Sequence, residues 1–232
     1  MGKKLYLIPG TMCNQKLWDR VVPYLHSSIE LGYLAIPRGK NFDELAAYYH
    51  QILSDDRVNL IGFSLGGYIA TWFAMLYPER IAKLFVTSNS PCSLSTEELN
   101  LRRDTLKYVE SHGYKGMSRK KAANMLDEAN KTEGLIDLIL EMDSDLGEAE
   151  FISQYRYTSD RVDLASAFKQ FPFNTIIYYS ENDRLVNSEW LKGLANVNTK
   201  LSVIATSGYG HMLPLEKPRE LANHINTWMH LD

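Results

Sequence analysis

Gly62-Phe63-Ser64-Leu65-Gly66 is the segment of this 232-residue chain whose residue types and spacing most directly imply chemistry. A serine hydroxyl is a weak nucleophile at neutral pH. It needs an adjacent base to take its proton, and that base must be oriented by a third group. Glycines on both sides let neighbouring backbone come closer to a tight strand-to-helix turn than a Cβ permits, as the G-x-S-x-G pattern requires. Two further residues supply the missing functions in the chain order Ser, acid, His. Asp183 lies in Glu181-Asn182-Asp183 and His211 in Gly208-Tyr209-Gly210-His211. Singly, they read as a turn or cap aspartate and an idle loop histidine. Jointly, they read as a triad with Ser64 as nucleophile, His211 as base and Asp183 as orienting acid. Pro9-Gly10-Thr11-Met12 adds a fourth element, because Gly10 lets the chain turn a backbone N–H toward a developing oxyanion. With the N–H of Leu65, this loop makes a two-donor oxyanion hole; Thr11 is the first choice for the second donor and Met12 the fallback.

These residues need a scaffold that brings four separated segments to one edge. Short β-rich runs alternate with amphipathic helical stretches, the pattern of a parallel sheet covered by helices. Strands are expected at 4–8, 29–36, 58–61, 81–87, 175–179 and 200–205, and helices at 17–26, 42–53, 66–76, 188–194 and 218–229. Ser64 follows the strand at 58–61, Thr11 the first strand, Asp183 the fifth and His211 the last. All four therefore fall at the carboxyl edge, where open α/β sheets place their sites. Between 93 and 170 the sequence shows helical patterns and no strand, so an inserted helical cap is expected there, with the core formed by 1–92 and 171–232. Aromatic and methionine side chains could line a pocket beneath it, of which Met12, Met117, Met125, Tyr155 and Met212 are the candidates, although most such residues in the cap are expected simply to pack.

Composition narrows the class. Hydrophobic residues make up 45% and charged residues 23%, with 25 Lys+Arg against 28 Asp+Glu and a formal charge of −3. That is ordinary globular composition and lacks the basic surplus of a nucleic-acid binder. No stretch approaches the ~18–20 apolar residues of a membrane span. The run Leu5-Tyr6-Leu7-Ile8 is too short for a signal peptide, and Tyr6 stands where a myristoylation signal after Gly2 wants Ser or Thr. Cys13 and Cys92 form no framework, so reduced thiols and a cytoplasmic location are expected. The six histidines are scattered without metal-binding spacing, so no metal site is expected. Charge is uneven within the insertion: 102–121 carries seven basic side chains and 127–150 nine acidic ones. Pairing of the two stretches is the plain expectation; docking of an acidic acyl carrier protein or of CoA phosphates on the basic one is the sharper alternative.

With Leu7-Ile8-Pro9-Gly10-Thr11, Trp18, Gly62-Phe63-Ser64-Leu65-Gly66-Gly67-Tyr68, Glu181-Asn182-Asp183, Gly210-His211 and Leu215-Glu216-Lys217-Pro218, the chain resembles the small, lid-bearing serine esterases and lactonases of the α/β-hydrolase fold. Residues 147–164 also resemble the end of the lid in that group. The resemblance implies a mostly parallel sheet of about six strands flanked by helices, an inserted helical cap, hydrolysis of carboxylic esters and no cofactor. Position by position, it assigns Ser64, Asp183 and His211 to the triad, and Thr11 and Leu65 to the oxyanion hole. Many members have His-Gly where this chain has Pro9-Gly10, and most begin with a hairpin before the strand found here at 4–8. A carboxylesterase acting on a small-molecule ester leads. Enol-lactonase, thioesterase, methyl-ester hydrolase of carrier-bound acyl groups and carbon–carbon hydrolase share the same triad, and a non-catalytic ligand-binding member of the fold is the alternative of another class.

Overall fold

The computed structural model describes residues 3–230. Met1 and Gly2, which open the N-terminal stretch considered above, lie outside the described residues. Six strands form one wholly parallel sheet in the order β2-β1-β3-β4-β5-β6. They are β1 (Lys3–Ile8), β2 (Ile29–Tyr33), β3 (Val58–Phe63), β4 (Ile81–Thr87), β5 (Asn174–Ser180) and β6 (Leu201–Thr206). The central strands are nearly continuous apolar runs because helices cover both faces.

On one face, α1 (Phe42–Ile52) and α2 (Leu65–Leu76) pack Phe42, Leu45, Tyr49, Ile69 and Phe73 against the sheet. Asn41 starts α1 with a capping box: its side chain accepts from the Glu44 N–H while Glu44 reaches back to the Asn41 N–H. On the other face, α9 (Pro218–His230) buries Leu221, Ile225 and Trp228 beside Leu17 and Trp18. Each such fully buried side chain contributes about 1.5–3 kcal/mol of transfer free energy.

The helix expected over 17–26 is instead two short 3₁₀ turns, Gln15–Trp18 and Val22–Tyr24. Pro23 explains the break: it has no N–H to continue a helix and sits in the first turn of the second 3₁₀ element, where none is needed. The second strand stops at Tyr33, three residues earlier than expected, and β3 runs two residues further, to the edge of the elbow. The helix expected over 188–194 is α7 (Ser188–Gly193), and the sequence reading omitted a short helix, α8 (Leu213–Glu216), beside α9.

Between β4 and β5 lie α3 (Thr96–His112), α4 (Arg119–Ala123), α5 (Glu133–Tyr157) and α6 (Ala165–Gln170), with no strand among the described residues. α5 bends at Gly147, whose φ is 69°. The expected pairing of the two charge blocks is largely absent. Of the seven basic residues in 102–121, among the described residues Arg119 alone forms ion pairs with the acidic stretch, to Glu133 and Asp137. Glu141 and Asp145 pair instead with Lys16 of the first 3₁₀ turn, each at 2.7 Å. No described helix is long and apolar enough to cross a membrane.

Candidate active site

Ser64 sits between the end of β3 and the first turn of α2 with φ 50° and ψ −119°. A non-glycine residue in this region costs of order 1–3 kcal/mol, so the surroundings must impose the conformation. They do so by close approach. A Cβ on Gly62 would run into the Gly66 carbonyl, and one on Gly66 would meet the Pro9 and Ile8 carbonyl oxygens. The Ser64 N–H donates to the Thr87 carbonyl at the end of β4 (2.9 Å), and the Ser64 carbonyl accepts from Gly67 and Tyr68. This turn lifts the hydroxyl out of the sheet edge.

His211 and Asp183 arrive from the loops after β6 and β5. His211 Nε2 lies 3.0 Å from Ser64 Oγ, and His211 Nδ1 lies 2.6 Å from Asp183 Oδ2. Both side chains are buried, whereas Ser64 is half-buried. The other carboxylate oxygen of Asp183 accepts from the Leu185 N–H at 2.9 Å. Glu181, two residues before it, is exposed and takes no part.

The histidine loop is gripped from the helical segment. The His211 N–H donates to the Met125 carbonyl (2.8 Å), and Asp127 Oδ2 accepts from the Tyr209 N–H (2.8 Å). Glu216 of α8 accepts from the Asp127 N–H at 2.6 Å. Burial raises the Glu216 carboxyl above the ordinary range, whereas backbone N–H donors hold Asp127 below it. Gly210 has no room for a side chain, since a Cβ there would overlap the Glu216 carboxylate.

In the loop after β1, the two candidate oxyanion donors differ. The Met12 N–H donates to Gln154 Oε1 of α5 at 2.9 Å. The Thr11 and Leu65 N–H groups have no protein acceptor among the described residues. Leu65 is the first residue of α2, where a helical amide has no intrahelical partner and the dipole favours negative charge. Met12 itself holds a left-handed conformation, φ 54°, with its side chain packed against Val109 and Phe151. Gln154 is fixed in turn, because its Nε2 donates to Glu150 Oε1 (2.8 Å), and Glu150 lies 3.3 Å from Arg38. An ionised carboxylate only accepts, so Glu150 directs the amide nitrogen toward itself and the amide oxygen toward Met12.

Of the pocket candidates, Tyr155 is half-buried and stacks on Phe151 with ring centroids 4.1 Å apart. Met117 and Met125 pack at the margin of the Trp18 and Trp228 core, and Met212 is wholly buried within it. Cys13 and Cys92 are free and buried. Burial pushes the Cys13 thiol up to about 12, which leaves it inert. A cavity of about 470 Å³ lies behind the Met12 loop, bounded by Pro9, Cys13, Glu150 and Gln154, and does not reach Ser64. Sequence reading missed the roles of Gln154, Glu150 and Asp127, which carry no motif, and of Glu216, which lies in a recognised segment but whose bond to the Asp127 N–H spans 89 residues.

A family model described as alpha/beta hydrolase fold matches residues 37–218. The chain belongs to that family. Among curated proteins it is similar to pimeloyl-[acyl-carrier protein] methyl ester esterases. It is 29% identical over 119 residues to that of Edwardsiella ictaluri, covering 47% of this chain and 46% of the relative. It is 33% identical over 100 residues to that of Aliivibrio salmonicida, covering 39% and 37%. The matched stretches thus span less than half the length of these relatives. Among solved structures, a thermophilic esterase from Thermogutta terrifontis superposes with a TM-score of 0.85 at 18% identity, over 100% of this chain and 92% of that one. The enol-lactonase from Burkholderia xenovorans LB400 gives 0.83 at 13% identity, over 100% and 92%. Likeness at these identities establishes the fold.

Proposed function

We propose that the chain is a serine hydrolase that cleaves carboxylic esters of short to medium acyl chain, with residues 93–170 acting as a lid on a core of 1–92 and 171–232. The observation that carries this reading is the unbroken line from Ser64 Oγ through the His211 imidazole to the Asp183 carboxylate. In this mechanism, His211 Nε2 takes the Ser64 proton as Oγ attacks the acyl carbon. Asp183 holds the proton on Nδ1 and so keeps Nε2 free to accept. The oxyanion rests on the N–H groups of Thr11 and Leu65, the assignment favoured because Gln154 already occupies the Met12 N–H. His211 returns its proton to the leaving alcohol, and water repeats the sequence on the acyl-enzyme. The test is p-nitrophenyl acetate: a burst of p-nitrophenol followed by steady turnover is expected, and its absence with otherwise folded protein would sink the reading. A chain-length series beside lactones and acyl thioesters then ranks the substrates.

A second reading, hydrolysis of a methyl ester on a carrier-linked acyl group, is supported by the activity named for the curated relatives. The exposed Lys120 and Lys121 make no ion pair among the described residues and could meet an acidic carrier. Lys120→Glu with Lys121→Glu is expected to depress turnover of the carrier-bound methyl ester and spare p-nitrophenyl acetate. Equal effects on both substrates would remove this reading.

Two predictions concern the support of the site. Gln154→Leu releases the Met12 N–H and with it the orientation of Thr11. Small misplacements of catalytic groups cost up to about 10²-fold, so kcat is expected to fall roughly 10- to 100-fold with KM little changed. A rise in KM alone would show that Gln154 only shapes binding. Gly210→Ala forces apart Gly210 and Glu216 and so moves His211. Its burst amplitude is expected to collapse while far-UV circular dichroism stays unchanged; an unaltered burst would show that the loop absorbs the methyl group.

A further inference from the structure

Arg102 of α3 and Arg161, between α5 and α6, form no ion pair among the described residues. Arg102 is 9% exposed, its Nε donates to Ser159 Oγ at 2.7 Å, and its guanidinium lies 4.4 Å from the centre of the Tyr155 ring. One terminal nitrogen of Arg102 is completely buried and has no hydrogen-bond partner among the described residues. The Arg161 guanidinium lies 5.2 Å from the centre of the Tyr68 ring, and its Nε donates to the Thr158 carbonyl at 3.2 Å. Its terminal nitrogens form no hydrogen bond or ion pair among the described residues. The two guanidinium groups are close enough to repel one another, and burial with this repulsion lowers Arg161 to about 10. Glu98, one turn before Arg102, is the nearest compensating charge but forms no ion pair with either. The Asp163 carboxylate is engaged elsewhere, by the Trp190 indole N–H and the Ala165 N–H.

Arg119, Arg156 and Arg80 are treated differently. Arg119 and Arg156 pair with carboxylates at the surface. Arg80 is wrapped by the carbonyls of Asp56, His50, Leu53 and Asp55. A buried guanidinium cannot shed its proton at neutral pH, and leaving one of its N–H groups unpaired is costly. Arg102, buried, and Arg161, half-buried, each lie over an aromatic ring without a carboxylate partner among the described residues, and together match what an oxyanion requires: a planar fork of donors in a partly dry setting.

The pair also has a defined position relative to the proposed nucleophile. Tyr68 stands one turn beyond Ser64 on α2, about 6 Å along the helix axis, and its hydroxyl exchanges hydrogen bonds with the Val162 N–H and carbonyl. Tyr155 stacks on Phe151, which packs against Met12. Arg161 is thereby tied to the helix of Ser64, and Arg102 to the loop of Thr11. We propose that Arg102 and Arg161 bind an oxyanion, a carboxylate or a phosphate, carried by the substrate at a distance from its scissile ester. This rests on the serine-hydrolase reading and narrows it to anionic esters.

The test compares monomethyl with dimethyl esters of dicarboxylic acids from succinate to suberate, together with methyl esters bearing a terminal phosphate. The monoanionic ester is expected to exceed its neutral counterpart in kcat/KM by at least about tenfold at one length, the scale of one charge-assisted contact. The better of carboxylate and phosphate identifies the natural group. Arg161→Gln is expected to bring the anionic-to-neutral ratio close to one. Arg102→Lys, which keeps the charge without the fork, is expected to lower it part of the way. Equal rates for charged and neutral esters at every length, or a ratio unchanged in Arg161→Gln, would overturn the proposal. If no ester is turned over, the hydrolase reading fails by itself, and calorimetry with glutarate and with inorganic phosphate decides the site. Binding lost in Arg161→Gln supports it, and no millimolar binding of either ion overturns it.

Discussion

Replacing Ser64 by alanine is expected to lower ester turnover about 10⁶-fold, the scale seen when a triad nucleophile is removed, and to abolish covalent labelling by a fluorophosphonate. The loss is chemical. Alanine keeps a Cβ and therefore the same strained backbone at φ 50°, and the hydrogen bond from the residue 64 N–H to Thr87 does not involve the hydroxyl. Melting temperature should accordingly change little. Ser64→Gly separates the two aspects of the residue. It also removes the proposed nucleophile, but it relieves strain of order 1–3 kcal/mol, offset by about 0.5–1 kcal/mol of extra backbone entropy in the unfolded chain. At about 2–4 °C per kcal/mol for a domain of this size, a rise of a few degrees in melting temperature is expected. Labelling that persists in either variant would place the reactive group elsewhere.

The parts of the site written in local sequence were legible; those made by packing were not. Ser64, Asp183 and His211 each follow a strand whose apolar run is visible in the sequence, so strand ends alone bring them to one edge. The glycines around Ser64 are demanded by contacts within a few residues and with the first loop, again a local matter. The choice between Thr11 and Met12 was different. It depends on a hydrogen bond to Gln154, 142 residues away, and no periodicity marks that glutamine. The grip of Met125 and Asp127 on the histidine loop has the same character. Apolar spacing over 17–26 pointed to a helix because burial on one face is common to a helix and to successive 3₁₀ turns; Pro23 decided between them. The charge blocks misled because net charge along a segment says nothing of partners. Lys16 took two of the acidic side chains, and Arg102 turned inward without one.

Asp183→Asn is expected to reduce kcat about 10⁴-fold without loss of fold, and the structure gives a specific reason. One carboxylate oxygen accepts from the Leu185 N–H at 2.9 Å while the other faces His211 Nδ1 at 2.6 Å. An asparagine at 183 keeps its carbonyl oxygen on Leu185, because its amide nitrogen cannot accept that hydrogen bond. Its amide nitrogen must then point at His211 Nδ1 and donate to it. The imidazole is forced into the tautomer with its proton on Nε2, which faces Ser64 Oγ at 3.0 Å. In that state His211 has no lone pair to offer the Ser64 hydroxyl. The defect should therefore appear in acylation, with a slowed burst, rather than in KM. Glu181→Gln is the control, since Glu181 is exposed and two residues away, and its rate should stay within about twofold of the parent, as expected for a surface substitution. If Asp183→Asn instead retained a tenth or more of the parent kcat, another group would have to orient His211, and the assignment of Asp183 would fall while that of Ser64 stood.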